Sequence, residues 1–411
     1  MTCEGYDTIE EAAAALARGE MIVVQDDEQR ENEGDLIFGA EFASAQTLAF
    51  MVKHTSGVIC VSMEEERLAE LELPQMVQVN TEPHRTAFTI SVDYRHGTST
   101  GISAADRAIT LQKLCDPSVK ACDFARPGHI FPLRYRQGGV LKRAGHTEAA
   151  IDLLKIAGCY PAGVICEIVK EDGSMARTPD LEVFAREHGL KRVTIADLVR
   201  YRRRHEKLVR KISEARIPTD HGEFTASVYE SLLDGIHHIA LHKGDLKNTE
   251  AVLVRVHSEC LTGDVFGSTR CDCGRQLHLA MKMISDEGAG AVVYLRGHEG
   301  RGIGIAHKLR AYELQDAGCD TVEANLRLGL PADSREYGIG AQILADLGVS
   351  SMRIMTNNPA KYGGLDGFDL RIVDRIPLIC PTSEECKRYL QTKQDKMGHW
   401  LNMDSAEKTH A

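Results

Sequence analysis

Three cysteines stand at C-x10-C-x-C spacing within Cys260–Gln276: Cys260, Cys271 and Cys273. Thiolates are the usual ligands of zinc, and three protein ligands leave the fourth tetrahedral position to water or substrate. No further Cys or His follows at ligand spacing, so the pattern reads as an open site rather than a closed structural one. Three unrelated core thiols would give the same pattern, because Cys is often buried as a small hydrophobe. A different donor set lies in Asp26–Asp35, with six acids and one Arg among ten residues. Hard cations such as Mg2+ take carboxylates plus waters, although a solvated loop has the same composition.

Other residues could bind or move protons. Ser103 and Asp106 are spaced as a helix cap, and the small residues Gly97–Gly101 before them could form an anion nest or only lead into a capped helix. Arg143 and Thr147 flank the point where a loop becomes the helix Glu148–Ala157 and could hold a phosphate; His146 could ligate a metal, though a lone His is more often structural. Glu167 shares a face of the expected strand Ala162–Lys170 with Ile165 and Val169. A carboxylate there must be paired or carry a raised pKa. The loop Arg296–Gly304, glycine-rich with arginines, suits a polyphosphate. Arg335 falls in the first turn of a helix expected from Pro331, where a cation opposes the macrodipole unless an anion is shared. Thr356–Lys361 follows a strand and offers polar contacts.

These residues need a scaffold larger than one core. At 411 residues two domains are expected, here 1–207 and 208–411. Composition is that of a globular chain, 43% hydrophobic and 27% charged. A net charge of −11 argues against wholesale nucleic-acid binding. Twelve scattered cysteines fit a reducing compartment, and no apolar run approaches the roughly 20 residues that cross a bilayer. Nothing resembles a signal peptide; a helical pattern begins at Ile9–Ala17, so any organelle-targeting extension would have been removed or never have existed. Strands are expected at Met21–Gln25, Leu36–Phe38, Phe224–Tyr229, His237–His242, Ala251–His257 and Ala291–Leu295, and a helix from Gly274 to Gly288. The spacing predicts a further helix from Thr194 to about Ile212, its seven Lys or Arg between Arg200 and Lys211 forming a solvated face. Pro218 and Asp220–Gly222 punctuate the entry to the second domain. The fold class is α/β (α+β), each domain a mixed sheet with flanking helices.

The motifs at 27–35, 99–107 (Ser-Thr-Gly-Ile-Ser-Ala-Ala-Asp-Arg), 126–133 (Arg-Pro-Gly-His-Ile-Phe-Pro-Leu) and 143–149 (Arg-Ala-Gly-His-Thr-Glu-Ala) resemble 3,4-dihydroxy-2-butanone 4-phosphate synthase over residues 5–205. The resemblance implies conversion of ribulose 5-phosphate to the four-carbon ketone phosphate and formate, with Mg2+ or Mn2+ on Glu31 and His146. It implies sugar-phosphate contacts from Arg30, Glu31, Asp35, Arg143, Ala144, Gly145, His146, Thr147 and Glu167, with His129 and Glu167 catalytic. One position departs: Gln29 stands where a further Asp is expected. The motifs Arg255–Cys260, Cys271-Asp-Cys273-Gly, Glu299–Gly304, Asp333-Ser-Arg335 and Thr356–Pro359 resemble GTP cyclohydrolase II over about 208–400. That resemblance implies zinc on Cys260, Cys271 and Cys273. GTP contacts would come from Arg255, Val256, His257, Ser258, Glu259, Gln276, Glu299, Gly300, Arg301, Thr321, Thr356 and Lys361. Asp333 would be the proton acceptor and Arg335 the nucleophile toward the α-phosphate. The fused order resembles the bifunctional riboflavin enzymes of bacteria and plants. It implies a homodimer in the cytoplasm or plastid stroma, with small-molecule substrates and neither nucleic acid nor membrane as partner. The alternatives are a fusion with one half inactive, a zinc-stabilised nucleic-acid binder using Arg200–Lys211, and a different nucleotide hydrolase.

Overall fold

The computed structural model describes residues 5–28, 30–316, 327–328, 337–358 and 370–380. The chain divides into two compact units, Met1–His205 and Glu206–Ala411.

In the first unit the strands are β1 (Ile22–Gln25), β2 (Gly34–Gly39), β3 (Cys60–Met63), β4 (Val92–Tyr94), β5 (Phe124–Arg134), β6 (Ala162–Glu167) and β7 (Lys191–Thr194). They form one sheet in the order β4-β5-β3-β6-β2-β1-β7. Pairs β1–β7 and β3–β5 are parallel and the other neighbours antiparallel. β1 and β2 are buried along their whole length, as strands covered on both faces must be. The helices Ala45–His54 and His146–Ala157 bury Leu48, Met51, Ala149 and Leu153 in the same core.

Register decides what this sheet presents at its end. Phe131 on β5 lies opposite Cys60, Cys60 opposite Ile165, and Ile165 opposite Ile37. Two residues along from that row, Glu167 is opposite Asp35. Side chains alternate with a period of two, so both carboxylates share a face, and His129 lies at the same end of β5. β6 ends as a continuous strand at Glu167 rather than reaching Lys170; beyond it Ile168 and Val169 pair only as isolated bridges, to Thr55 and Met175.

The second unit has β8 (Val209–Thr219), β9 (Gly222–Ser231), β10 (His237–Lys243), β11 (Val252–Ser258), β12 (Gly290–Leu295), β13 (Ser351–Met355) and β14 (Arg371–Ile376). The order is β14-β13-β11-β12-β10-β9-β8, parallel from β12 through β11 and β13 to β14 and antiparallel elsewhere. Val254, Val256, Ala291 and Val293 feed the core on one face, Leu253 and Val292 the core on the other. On β11 Arg255 and His257 therefore lie on the Leu253 face.

The expected helix to Ile212 is corrected. It ends at His205, and Val209–Thr219 is an edge strand paired with β9. Residues 210–218 are exposed on both faces, so the burial rhythm that identifies a strand is missing from the sequence. Pro218 sits in that edge strand opposite Glu223, where a missing N–H is tolerated. The basic run is not one solvated face. Arg202 reaches Asp152 at 2.7 Å, Lys207 reaches Asp346 at 2.6 Å, Arg210 reaches Glu230 at 2.6 Å, and Arg200 and Lys211 pair with Asp197 and Glu214. No described helix is long and apolar enough to cross a membrane.

Candidate active sites

The acidic run after β1 is a built loop. The buried Asp26 carboxylate accepts from the backbone N–H groups of Glu31 (3.1 Å) and Glu33 (2.8 Å) and from Arg30 Nη1 (2.8 Å). Arg177 clamps the loop from outside by donating to the Glu31 and Asn32 carbonyls. Folded this way, the loop brings one donor atom from each of Asp26, Glu31 and His146 within 4.8 Å of one another. His146 Nδ1 is also 3.6 Å from Asp35 Oδ1, an atom that is buried without a hydrogen-bond partner. Burial pushes the His146 imidazole down to about 4, leaving it neutral with a free lone pair at physiological pH. Burial, then the charges of Glu167, Glu31, Glu33 and Asp26, push the Asp35 carboxyl well above its ordinary range. Carboxylates crowded with a neutral imidazole form an O/N donor set that suits a hard divalent cation, whose charge would reverse the shift at Asp35.

His146 and Thr147 lie inside the helix His146–Ala157, which starts two residues earlier than the sequence pattern suggests. Its N-cap, Gly145, offers no side-chain cap, so the first backbone N–H groups are open to an anion. An ideal Cβ on Gly145 would meet Arg143 Nη1 at 2.4 Å and Arg30 Nη2 at 3.1 Å, so two guanidinium groups converge on that helix end. Arg143 is held there by Glu148 (2.6 Å), Thr86 (2.8 Å) and the His84 carbonyl (3.1 Å).

Glu167 is half-buried and accepts from Ser56 Oγ at 2.6 Å. His129 Nδ1 lies 2.7 Å from Asp93 Oδ2. The 99–106 loop resolves to the plainer reading: Ser103 caps the helix Ala104–Cys115, and the Asp106 carboxylate accepts from Ser99 N, Ser99 Oγ and Gly101 N. Those three donors are thereby turned inward to Asp106.

In the second unit Cys260 follows β11, Cys271 precedes the helix Cys273–Glu287, and Cys273 opens it. The three sulfurs lie within 4.8 Å of one another, Cys260 and Cys271 at 3.7 Å. Gly263 makes this possible: a Cβ there would stand 2.8 Å from Cys271 Sγ and 3.1 Å from Cys260 Sγ. Asp264 locks the turn, accepting from Cys260 N (3.0 Å) and Tyr294 Oη (2.8 Å) and facing His257 Nε2 at 3.1 Å. Lys308, nine-tenths buried, donates to Cys260 Sγ (3.2 Å), Thr262 Oγ1 (2.8 Å) and Glu299 Oε1 (2.5 Å). Burial works against the Lys308 ammonium, but Cys260 and Glu299 more than offset it and hold the amine above its ordinary value. Hydrogen bonds from Cys271 and Cys273, then Lys308, pull the Cys260 thiol below its ordinary range, while the shared proton network pushes Cys271 up to about 11 and Cys273 well above its ordinary range. The Lys308 ammonium lies against the Cys260 sulfur as a buried counter-charge. A soft-donor site for a divalent ion fits this set.

Around the sulfurs, buried Arg255 donates to Gln276 Oε1 (2.6 Å) and the Met355 carbonyl (2.9 Å), and Gln276 donates to Asp272 (2.6 Å). Val256 is core. Ser258 Oγ lies 3.3 Å from His298, and Glu259 accepts from Gly297 N at 2.7 Å. Glu299 also accepts from Leu261 N at 2.6 Å. Gly300 and Arg301 take left-handed conformations in the glycine-rich loop, and Arg301 is buried. Thr356 is buried after β13. Thr321, Asp333, Arg335 and Lys361 lie outside the described residues, as does Gln29. Sequence reasoning did not single out Asp26 within the acidic run, nor Asp93, Asp264 or Lys308 at all. Only Asp26 had a local signal, an acid directly after a buried strand.

Residues 10–201 match the family model of 3,4-dihydroxy-2-butanone 4-phosphate synthase, and residues 210–377 that of GTP cyclohydrolase II. The chain is 61% identical over 401 residues to the bifunctional riboflavin biosynthesis protein RIBA 1, chloroplastic, of Arabidopsis thaliana, spanning 97% of this chain and 74% of that one. It is 59% identical over 398 residues to the riboflavin biosynthesis protein RibBA of Nocardia farcinica, spanning 96% of each. Among solved structures, RibBX, a two-domain 3,4-dihydroxy-2-butanone 4-phosphate synthase from A. baumannii, aligns with a TM-score of 0.69 at 36% identity, over 90% of this chain and 99% of that one. A second solved synthase, described as in complex with two magnesium ions, is 45% identical over 48% of this chain and 96% of that one, with a TM-score of 0.47.

Proposed function

The chain belongs to the bifunctional riboflavin biosynthesis proteins, and from that premise we propose which residues carry each of its two reactions. The enzyme is a lyase and a hydrolase on one chain. It converts ribulose 5-phosphate to 3,4-dihydroxy-2-butanone 4-phosphate and formate, and it hydrolyses GTP to the diaminopyrimidine nucleotide, formate and pyrophosphate.

In the synthase unit, taken as 1–207, Arg30, Arg143 and the uncapped helix end from Ala144 and Gly145 to Thr147 bind the sugar phosphate. Glu31 and His146, with Asp26 beside them, hold Mg2+ or Mn2+. Such an ion polarises a carbonyl with its neighbouring hydroxyl and acidifies the adjacent C–H. Asp35 and Glu167, opposite one another on β2 and β6, contact the sugar hydroxyls, and Glu167 and His129 move the protons of dehydration and formate loss.

In the hydrolase unit, taken as 208–411, Cys260, Cys271 and Cys273 hold zinc, which supplies a Lewis acid for hydrolysis at C8 of the guanine. Arg255, Val256, Ser258, Glu259, Gln276, Gly300, Arg301, Thr321, Thr356 and Lys361 surround GTP. His257 and Glu299 shape the same wall through Asp264 and Lys308. Asp333 accepts a proton, and Arg335 attacks the α-phosphate as pyrophosphate leaves; water then cleaves the nitrogen–phosphorus bond and releases the nucleotide. A homodimer in the cytoplasm or plastid stroma is the assembly and location we propose; sedimentation at two concentrations tests the first.

One observation carries this reading: each unit gathers its own three-donor set, one of oxygen and nitrogen, the other of sulfur. Metal analysis of Cys271→Ser, with formate measured separately from ribulose 5-phosphate and from GTP, tests it. The expected result is loss of one zinc per chain and of GTP turnover, with formate release from ribulose 5-phosphate intact. Retained zinc, or loss of both activities, would sink the assignment.

A further inference from the structure

Resting on the reading of His129 as catalytic, we propose that Asp93 is its positioning residue, holding the ring with Nδ1 protonated and Nε2 presented as the proton-transfer atom. Asp93 grips His129 twice. Its Oδ2 lies 2.7 Å from Nδ1, and its Oδ1 accepts the His129 backbone N–H at 2.9 Å. A carboxylate can only accept when ionised, so the short contact assigns the proton to Nδ1. Nε2 has no hydrogen bond among the described residues. The side chain of His129 is 41% exposed, that of Asp93 only 12%, so the orienting group is enclosed and the ring edge is open.

The surroundings are built for this pair. β4 and β5 approach so closely at Gly128 that a Cβ would stand 2.0 Å from the Val92 carbonyl carbon, and Gly128 N donates to Ser91 at 3.1 Å. A Cβ on Gly101 would fall 2.0 Å from Asp93 Oδ2, so the loop leaves space for the carboxylate and for little else. Arg107, buried and with its Nε lacking a hydrogen-bond partner, faces the charge of Asp93. A base oriented by a third group is a recurring device where a proton must leave at one defined atom.

Asp93→Asn keeps the shape but presents an amide that can donate to Nδ1 and turn the ring to its other tautomer. The expected result is a fall in kcat for ribulose 5-phosphate of about 100-fold or more, with KM changed by less than about threefold. The ring 15N shifts of His129 should report the proton moving from Nδ1 to Nε2, and Asp93→Glu should restore Nδ1–H and part of kcat. Acting as a unit, the pair should be non-additive, so that Asp93→Asn/His129→Asn falls no lower than His129→Asn alone. Should Asp93→Asn not fold, Gly101→Ala displaces the same carboxylate and carries the same expectation. An unchanged tautomer, an unchanged kcat or additive losses would overturn the role of Asp93. If His129→Asn itself retains activity, the catalytic reading of His129 fails instead.

Discussion

The two candidate sites solve one problem with opposite materials. In the first unit the donors are oxygen and nitrogen, they come from a loop, a strand and a helix, and the protein groups there are an excess of carboxylates that Arg30 and Arg143 only partly offset. In the second, three sulfurs come from one turn and one helix start, and a buried amine, Lys308, lies against one of them. Carboxylates crowd until a cation arrives, whereas Cys271 and Cys273 are pushed toward their protonated form. Hard and soft ions are thereby separated by donor type before any selectivity of size is needed.

That contrast can be broken from either side. Glu31→Gln should lower formate release from ribulose 5-phosphate by about 100-fold or more while leaving GTP turnover within about twofold; equal losses in both assays would remove the independence of the sites. Lys308→Gln should weaken zinc by about 10–100-fold, the usual range for a residue behind the ligands, measured by competition with a chromophoric chelator. An unchanged affinity would leave Lys308 a packing residue only. The pH dependences should differ in steepness. Zinc must displace protons from Cys271, pushed up to about 11, and from Cys273, so its affinity should rise about a hundredfold per pH unit near neutrality. Magnesium displaces at most the proton that Asp35 holds when its carboxyl is raised, so its affinity should rise no more than about tenfold per unit. Asp35→Asn should flatten that rise. Last, Arg202→Ala leaves Asp152 buried without its cation and should cost about 3 kcal/mol in urea unfolding, with both KM values unmoved.

The same contrast explains what could be read from the chain. Cysteines at C-x10-C-x-C, the acidic run, and the Arg and His before a helix announce themselves because their partners are close in sequence or their types are rare. Asp93 lies 36 residues from His129, and Lys308 lies 48 from Cys260; neither carries a local pattern, and only tertiary pairing brings them in. About half of the strands were legible from apolar runs, including β1, β9, β10 and β11, while β3, β4, β5, β7 and β14 were not. β8 was not, because an edge strand exposed on both faces has no alternation, and its arginines and lysines continue a helical composition past His205. The helix from His146 began two residues early for a related reason: an uncapped N-terminus carries no Ser, Thr, Asp or Asn to mark it.

Asp35 and Glu167 face each other only because β2 and β6 pair in one register. A slip of a single residue would send one carboxylate through to the opposite face of the sheet. A divalent cation held at this end of the sheet would bind the correctly paired chain and not the slipped one, stabilising it by RT ln(1 + [L]/Kd). The ion would then act as a proofreader of folding as well as a reagent, and chain refolded in its presence would be enriched in the one pairing that can also turn over substrate.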